Sequence, residues 1–182
     1  MKLTETGLAG CWVIEPKIFT DNRGYFMESF NEFNFQKLTK TKTRFVQDNQ
    51  SCSAYGVIRG LHAQKGEFAQ AKLVRVVHGK VLDVVVDARE NSPTFGQHFS
   101  VELSDTNHKQ LFVPKGFLHG FSVLSDKAVF FYKCDEYYRP EHEYGVRFDD
   151  KDLQIDWKIP TEKQIVSDKD LQLPTFKTVF GK

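Results

Sequence analysis

The sequence predicts an all-β protein, a closed barrel or sandwich with a few short helices mainly near the C-terminus. Three observations lead there. Short β-rich runs recur with turns every eight to twelve residues. Gly, Pro, Asn and Asp punctuate them. Helix signals are sparse: Asn31 to Leu38 reads as one short helix with Asn31 as N-cap, and Asp149 to Leu153 as one more helical turn. Along the chain, Lys72 to Val77 and Val81 to Asp87 flank His78-Gly79-Lys80 and read as a hairpin. Asn91 to Gly96 is a loop, and His98 to Leu103, Gln110 to Val113, Gly120 to Leu124 and Ala128 to Lys133 read as further strands.

The 182 residues suit one domain over 1–182, with no repeat or low-complexity linker. Charge is balanced, with 25 Lys and Arg against 24 Asp and Glu. No basic block is present, which argues against nucleic acid as a partner. Neither a signal-peptide core nor a membrane-length apolar run occurs. Cys11, Cys52 and Cys134 are too few and scattered for a disulfide framework, so they read as small buried or partly buried residues of a cytoplasmic protein. The 17 phenylalanines fit a β-rich core or ring-stacking platforms equally well.

Two segments carry the chemistry. One is Gly56-Val57-Ile58-Arg59-Gly60-Leu61-His62-Ala63-Gln64, continuing to Lys72 and Gly79. The other is Pro114-Lys115-Gly116-Phe117-Leu118-His119. They resemble the two motifs of the cupin superfamily, a family of jelly-roll barrels that often hold a metal. Two departures matter. Gln64 stands where the first motif has its second His, and Lys72 where it has Glu. A cation site needs carboxylates and neutral imidazoles, and an ammonium repels the ion. His62 and His119 alone would make a poor site, so no metal or other cofactor is expected. A lysine in that position suits a developing oxyanion instead. A histidine beside it suits a general base. Together they fit proton abstraction next to a carbonyl.

Taken singly, His62 reads as a satisfied polar residue, Tyr132 as barrel wall and Lys72 as a solvated strand end. Asp170 reads as a surface acid in a loop, and Asp83, set among valines, as a rival partner for His62 or Lys72. The wider pattern changes the weighting. Asp21 to Phe26 with Glu28-Ser29, Phe45 to Asn49, Arg59 to His62, Lys72 to Arg75, Val113 to Phe121, Tyr132-Lys133 and Ser167 to Asp170 occur in order. In that order they resemble the dTDP-4-dehydrorhamnose 3,5-epimerase family over nearly the full chain. The resemblance implies cofactor-free epimerisation at C3 and C5 of a 4-keto-6-deoxyhexose carried on dTDP. It implies His62 as base, Tyr132 as acid, Lys72 as enolate stabiliser and Asp170 as partner of His62. It places Arg23, Glu28, Gln47, Asn49, Arg59, His119, Glu143 and Lys169 on the substrate.

It also implies a homodimer, in which an N-terminal strand crossing to the partner would protect a sheet edge. Phe19, Phe26 and Phe121 are candidates to stack on thymine or pack the sugar, with core packing as the other use. His78, His98, His108 and His142 read as turn or surface residues, and Asp149 and Asp150 as helix-terminal charges. Three alternatives stay open: a mono-epimerase on a related keto-deoxysugar nucleotide, a non-catalytic sugar-nucleotide-binding cupin, and a metal-dependent cupin oxygenase, which Gln64 and Lys72 oppose.

Overall fold

The computed structural model describes residues 1–181. In chain order the strands are β1 (Lys2–Glu5), β2 (Trp12–Glu15), β3 (Ile18–Asp21) and β4 (Gly24–Met27), then helix α1 (Glu32–Thr39). The central strands are β5 (Gln47–Ala54), β6 (Ile58–Gln64), β7 (Lys72–His78), β8 (Lys80–Asp87) and β9 (His98–Ser104). They are followed by β10 (Gln110–Val113), β11 (Phe117–Val123), β12 (Lys127–Cys134) and β13 (Glu143–Gly145), then α2 (Asp168–Leu171) and α3 (Phe176–Phe180). A six-stranded sheet runs β1-β2-β10-β7-β12-β5 and a five-stranded sheet runs β13-β6-β11-β8-β9, with β3-β4 as a separate ribbon. Every paired strand is antiparallel. The two large sheets face each other as a jelly roll, the all-β architecture that the motifs led one to expect.

The strands forecast on either side of Gly79 form, but not the hairpin. β7 pairs with β10 and β12, while β8 pairs with β11 and β9. The chain therefore changes sheets at Gly79. Its φ is +78°, and a Cβ there would lie 2.0 Å from the Lys127 carbonyl oxygen, so only glycine makes the crossing. The Gly79 N–H is held by Asp105 Oδ2 at 2.7 Å.

This crossing sets three packed layers. Val74 and Val76 of β7, Val81 and Val85 of β8, and Phe121 and Phe130 meet between the sheets. Leu82, Val84 and Val86 point the other way, against Val146, Phe148, Leu153 and Trp157 of the C-terminal segment. Strand β8 is thus buried on both faces, which explains its nearly continuous valine run. On the outer face of the six-stranded sheet, Phe35 of α1 packs edge-on against Phe112 and Phe45, with ring centroids 5.1 and 5.4 Å away. Helix α1 begins where Asn31 caps it by accepting from the Asn34 N–H at 3.0 Å. It is the longest helix among the described residues and falls where the sequence placed one, while α2 and α3 have the expected C-terminal placement.

Residues 149–153 form turns rather than a helix. Asp150 is buried there, not a helix-end charge. Its carboxylate accepts from the N–H groups of Asp152, Leu153 and Phe176. Cys11 and Cys134 are buried as expected, but Cys52 is exposed on edge strand β5. Among the described residues, no helix is long and apolar enough to cross a membrane.

At the C-terminal end of β8, fully buried Asp87 ties down the loop that follows. It accepts from Arg89 Nε and Nη2, both at 2.7 Å, and from the hydroxyls of Ser92 and Thr94. Burial opposes its charge, but these donors outweigh burial and hold the carboxyl down to about 2. A depressed folded pKa contributes stability above the unfolded pKa and loses it as pH falls through the folded value. We predict that Asp87→Asn lowers unfolding free energy by roughly 2 kcal/mol at pH 7. Urea denaturation should show the gap between variant and wild type closing between about pH 4 and pH 2. A gap that stays constant over that range would contradict the assignment.

Candidate functional site

The inner faces of the two sheets leave a cavity of about 450 Å³ at the open end of the barrel, within the size range of small-ligand sites. His62, Arg59, His119 and Phe121 enter it from the five-stranded sheet. Lys72, Asn49, Ser51, Phe130 and Tyr132 enter from the six-stranded sheet, and Ser167, Lys169 and Asp170 come from the C-terminal segment. His62 and Tyr132 therefore stand on opposite walls.

The His62 wall depends on close backbone contact. Gly60 has φ +115°, and a Cβ there would lie 2.7 Å from Gly120 Cα and 2.7 Å from the His119 carbonyl oxygen. With glycine at this position, β6 lies close against β11, where His62 pairs in register with His119. Leu61 and Ala63 fill the layer behind.

Asp170 is not a loop surface acid but a buried residue of the single-turn helix α2. Its Oδ1 lies 2.7 Å from His62 Nε2, and its Oδ2 accepts the Gly60 N–H at 3.3 Å. Burial works against ionisation of Asp170. The His62 hydrogen bond and charge and the Gly60 N–H outweigh it, keeping the carboxyl below its ordinary range. With Asp170 ionised, His62 Nε2 carries the donated proton, which leaves Nδ1 as the basic nitrogen.

On the opposite wall, Lys72 Nζ lies 5.8 Å from the centre of the Tyr132 ring. Burial pushes the Lys72 ammonium below the usual lysine range, while Cys134, Asp83 and Glu143 act in the other direction. Burial also pushes the Tyr132 phenol up to about 12, with Arg59 countering it in part. Tyr132 is therefore protonated at neutral pH, as a proton donor must be.

Further binding candidates gather around this core. Glu143 on β13 forms an ion pair with Lys169 and accepts from the Tyr138 hydroxyl at 3.2 Å. Burial raises the Glu143 pKa, but Lys169 and His62 more than offset it, so the carboxyl sits low. Arg59 Nε and Nη2 donate to Ser53 Oγ, each at 3.2 Å. Gln47 donates to Asn49 Oδ1 at 3.0 Å and accepts the Tyr138 N–H at 3.2 Å, which joins it to the rim. His119 Nε2 lies 2.8 Å from Asp83 Oδ1, so the rivalry between carboxylates resolves: Asp170 partners His62 and Asp83 partners His119.

Gln64 faces away from this chemistry. Its amide donates to the carbonyls of Phe68 and Tyr137 and accepts the Arg139 N–H, bracing the rim loop. The remaining set is two imidazoles already bonded to carboxylates plus an ammonium, which does not suit a cation.

Arg23 and Glu28 are not brought to the cavity. Arg23 sits on the exposed β3-β4 ribbon, paired with Asp21. Glu28 accepts from Asn31 and Asn34 at the start of α1. Phe121 is buried and stacked on Phe130, centroids 4.2 Å apart, so it is wall rather than platform. Phe19 and Phe26 stay exposed on the ribbon. Sequence reasoning missed Ser51, Ser167 and rim residue Tyr138. Ser51 follows Asn49 by two on β5 and so shares its face, a signal that the polar strand concealed.

Comparison with known proteins gives a consistent result. A family model described as dTDP-4-dehydrorhamnose 3,5-epimerase matches residues 5–178. The dTDP-4-dehydrorhamnose 3,5-epimerase of Methanothermobacter thermautotrophicus is 49% identical over 170 residues, covering 93% of this chain and 91% of its own. The crystal structure of dTDP-4-dehydrorhamnose 3,5-epimerase from Elizabethkingia anophelis superposes with a TM-score of 0.95 at 56% identity, covering 99% of this chain and 98% of that one. A dTDP-6-deoxy-D-glucose-3,5-epimerase from Legionella pneumophila, solved with dTDP-4-keto-L-rhamnose, gives a TM-score of 0.92 at 46% identity, covering 96% and 92%.

Proposed function

The chain belongs to the dTDP-4-dehydrorhamnose 3,5-epimerase family, and from that membership we propose that its barrel cavity is the active site of that reaction, with His62 as base and Tyr132 as acid. The protein is a sugar-nucleotide epimerase that inverts C3 and C5 of dTDP-4-dehydro-6-deoxy-D-glucose. The observation that carries the residue roles is the placement of His62 and Tyr132 on opposite walls of one cavity.

Both C3 and C5 flank the C4 ketone, so one carbonyl acidifies both protons. His62 Nδ1 takes a proton from carbon, and the C–H electron pair moves into the enolate with its charge on the C4 oxygen. Lys72 supplies the matching positive charge, which counts most where water is excluded. The Tyr132 hydroxyl then donates to the other face of the same carbon, and the configuration inverts. His62 returns its proton to solvent and Tyr132 regains one, so no net proton or electron is consumed. Asp170 stabilises the imidazolium formed in the first step and holds the ring in the correct tautomer. Asn49, Arg59, His119, Glu143 and Lys169 surround the substrate, with Gln47 at the rim. The ketone itself supplies the acidity, so the reaction asks for neither metal nor redox cofactor.

Turnover in D2O separates the roles. His62→Ala should abolish both inversion and deuterium uptake at C3 and C5. Tyr132→Phe should still form the enolate and wash deuterium into carbon, with inversion slowed by roughly 100- to 10,000-fold. NMR of the recovered sugar nucleotide scores exchange and stereochemistry separately. Free exchange by His62→Ala together with none by Tyr132→Phe would reverse the two assignments.

The same proposal includes a homodimer built by exchange of N-terminal strands, located in the cytoplasm. Phe19, Tyr25 and Phe26 of the β3-β4 ribbon are 51%, 56% and 69% exposed, a cost in water that a partner surface would remove. Arg23 on that ribbon and Glu28 beyond it would reach the partner's cavity, which accounts for their distance from their own. Free Cys11, Cys52 and Cys134 suit a reducing compartment. Mixing offers a direct check. Arg23→Ala and His62→Ala, each weak alone, should regain about a quarter of wild-type sites when unfolded together and reassembled, because half the dimers are mixed and each mixed dimer holds one intact site. No recovery would mean that Arg23 serves its own chain.

A further inference from the structure

Three carboxylates lie at or near the cavity that Lys72 lines, and two of them are fully engaged. Glu143 from β13 is paired with Lys169 and bonded to Tyr138. Asp170 from α2 uses one oxygen on His62 and the other on the Gly60 N–H. Asp83 from β8 differs. It is completely buried, its Oδ1 meets His119 Nε2 at 2.8 Å, and its Oδ2 has no hydrogen-bond partner among the described residues. Besides Lys72 and Asp170, the titratable groups that line this cavity are Tyr132 of β12, His62 and Arg59 of β6, His119 of β11, and Lys169 of α2, with Cys134 of β12 close to Lys72. None of these is an available anion at neutral pH: burial pushes Tyr132 up to about 12 and Cys134 up to about 11, and the remainder are bases.

The direction of Asp83 follows from the sheet. Asp83 lies opposite Phe121 in the β8-β11 register, and Phe121 packs between the sheets. Asp83 therefore projects inward from one sheet, while Lys72 projects inward from the other, alternating with Leu73 on the outer face. A buried carboxylate with a free oxygen is costly unless a positive charge compensates it.

Resting on the epimerase reading above, we infer that Asp83 is a positioning residue: its buried charge is the counter-ion that keeps Lys72 protonated in the closed cavity, while its other oxygen orients His119. The proton on Lys72 is what the enolate oxygen meets, so its retention sets the alkaline limit of turnover. Burial alone drives Lys72 toward the neutral amine, and Asp83 and Glu143 oppose that drift. Asp83 is itself pushed upward by burial and drawn back by His119 and Lys72. Burial leaves Asp83 above and Lys72 below its ordinary range, and each group opposes that drift in the other.

The test uses Asp83→Asn in the full chain. Asparagine keeps an oxygen acceptor for the His119 N–H and removes only the charge. Lysines labelled with 13C at Cε report the titration of Lys72 directly, assigned as the resonance lost in Lys72→Arg. In Asp83→Asn that titration should move at least about one pH unit lower, a tenfold loss of proton affinity. The alkaline limb of the kcat profile should move with it, and dTDP affinity should stay within about threefold, since Asp83 does not line the cavity. An unmoved Lys72 titration overturns the inference, as does a matching fall in dTDP affinity with an unmoved kcat profile. Should Asp83→Asn fail to fold, the wild-type titration decides, because a neutral Lys72 amine at pH 7 is incompatible with a working counter-ion. The titration needs no turnover. Absence of deuterium exchange by the wild type would sink the epimerase reading and leave the Asp83 result standing.

Discussion

Sheet exchange at Gly79 is the constraint on which the site depends. With β7 in one sheet and β8 in the other, residues close in sequence project into the barrel from facing walls. Lys72 and Asp83 confront each other in this way. The same alternation sets His62 on β6 against Tyr132 on β12. An inversion at carbon requires a base on one face and an acid on the other. A jelly roll supplies two such faces without any moving part, and the packed layers of Val81, Val85, Phe121 and Phe130 fix their separation.

The electrostatics follow from that enclosure. Removing water strengthens each charge interaction and raises the cost of any unmatched charge. Each acid is accordingly set beside a cation or an imidazole: Asp170 with His62, Glu143 with Lys169, and Asp83 between His119 and Lys72. The departures from the metal-binding pattern fit one logic. Lys72 takes the place of a carboxylate ligand and answers a transient oxyanion. Gln64 takes the place of an imidazole ligand and braces the loop that carries Tyr137 and Arg139.

Strand positions were legible because β7, β8, β10, β11 and β12 carry strong apolar runs. Pairing was not. Periodicity reports which residues share a face but not which neighbour a strand chooses, so the short Gly79 turn suggested a hairpin where the chain crosses between sheets. Strand β5 escaped notice for the opposite reason: Gln47 to Ser53 is polar, since Asn49 and Ser51 line a wet cavity instead of a core. Asp150 likewise resembles a surface acid until the N–H groups it collects are seen. At the site, His62 and Lys72 could be argued from motif chemistry, whereas Tyr132 and Asp170 depended on family resemblance. Asp170 lies far from His62 in sequence, and only the fold of the C-terminal segment joins them. Arg23 and Glu28 were legible as motif residues, but a single chain does not give them a place in the cavity.

The mechanism rests on one claim: base and acid address opposite faces of one sugar ring. A crystal structure of this protein with a dTDP-linked 4-keto sugar tests that claim most directly. The ring should lie in the cavity between the two sheets, with the C4 oxygen toward Lys72, His62 on one side of C3 and C5, and Tyr132 on the other. A sugar bound with His62 and Tyr132 on the same face, or with its ketone turned away from Lys72, would contradict it.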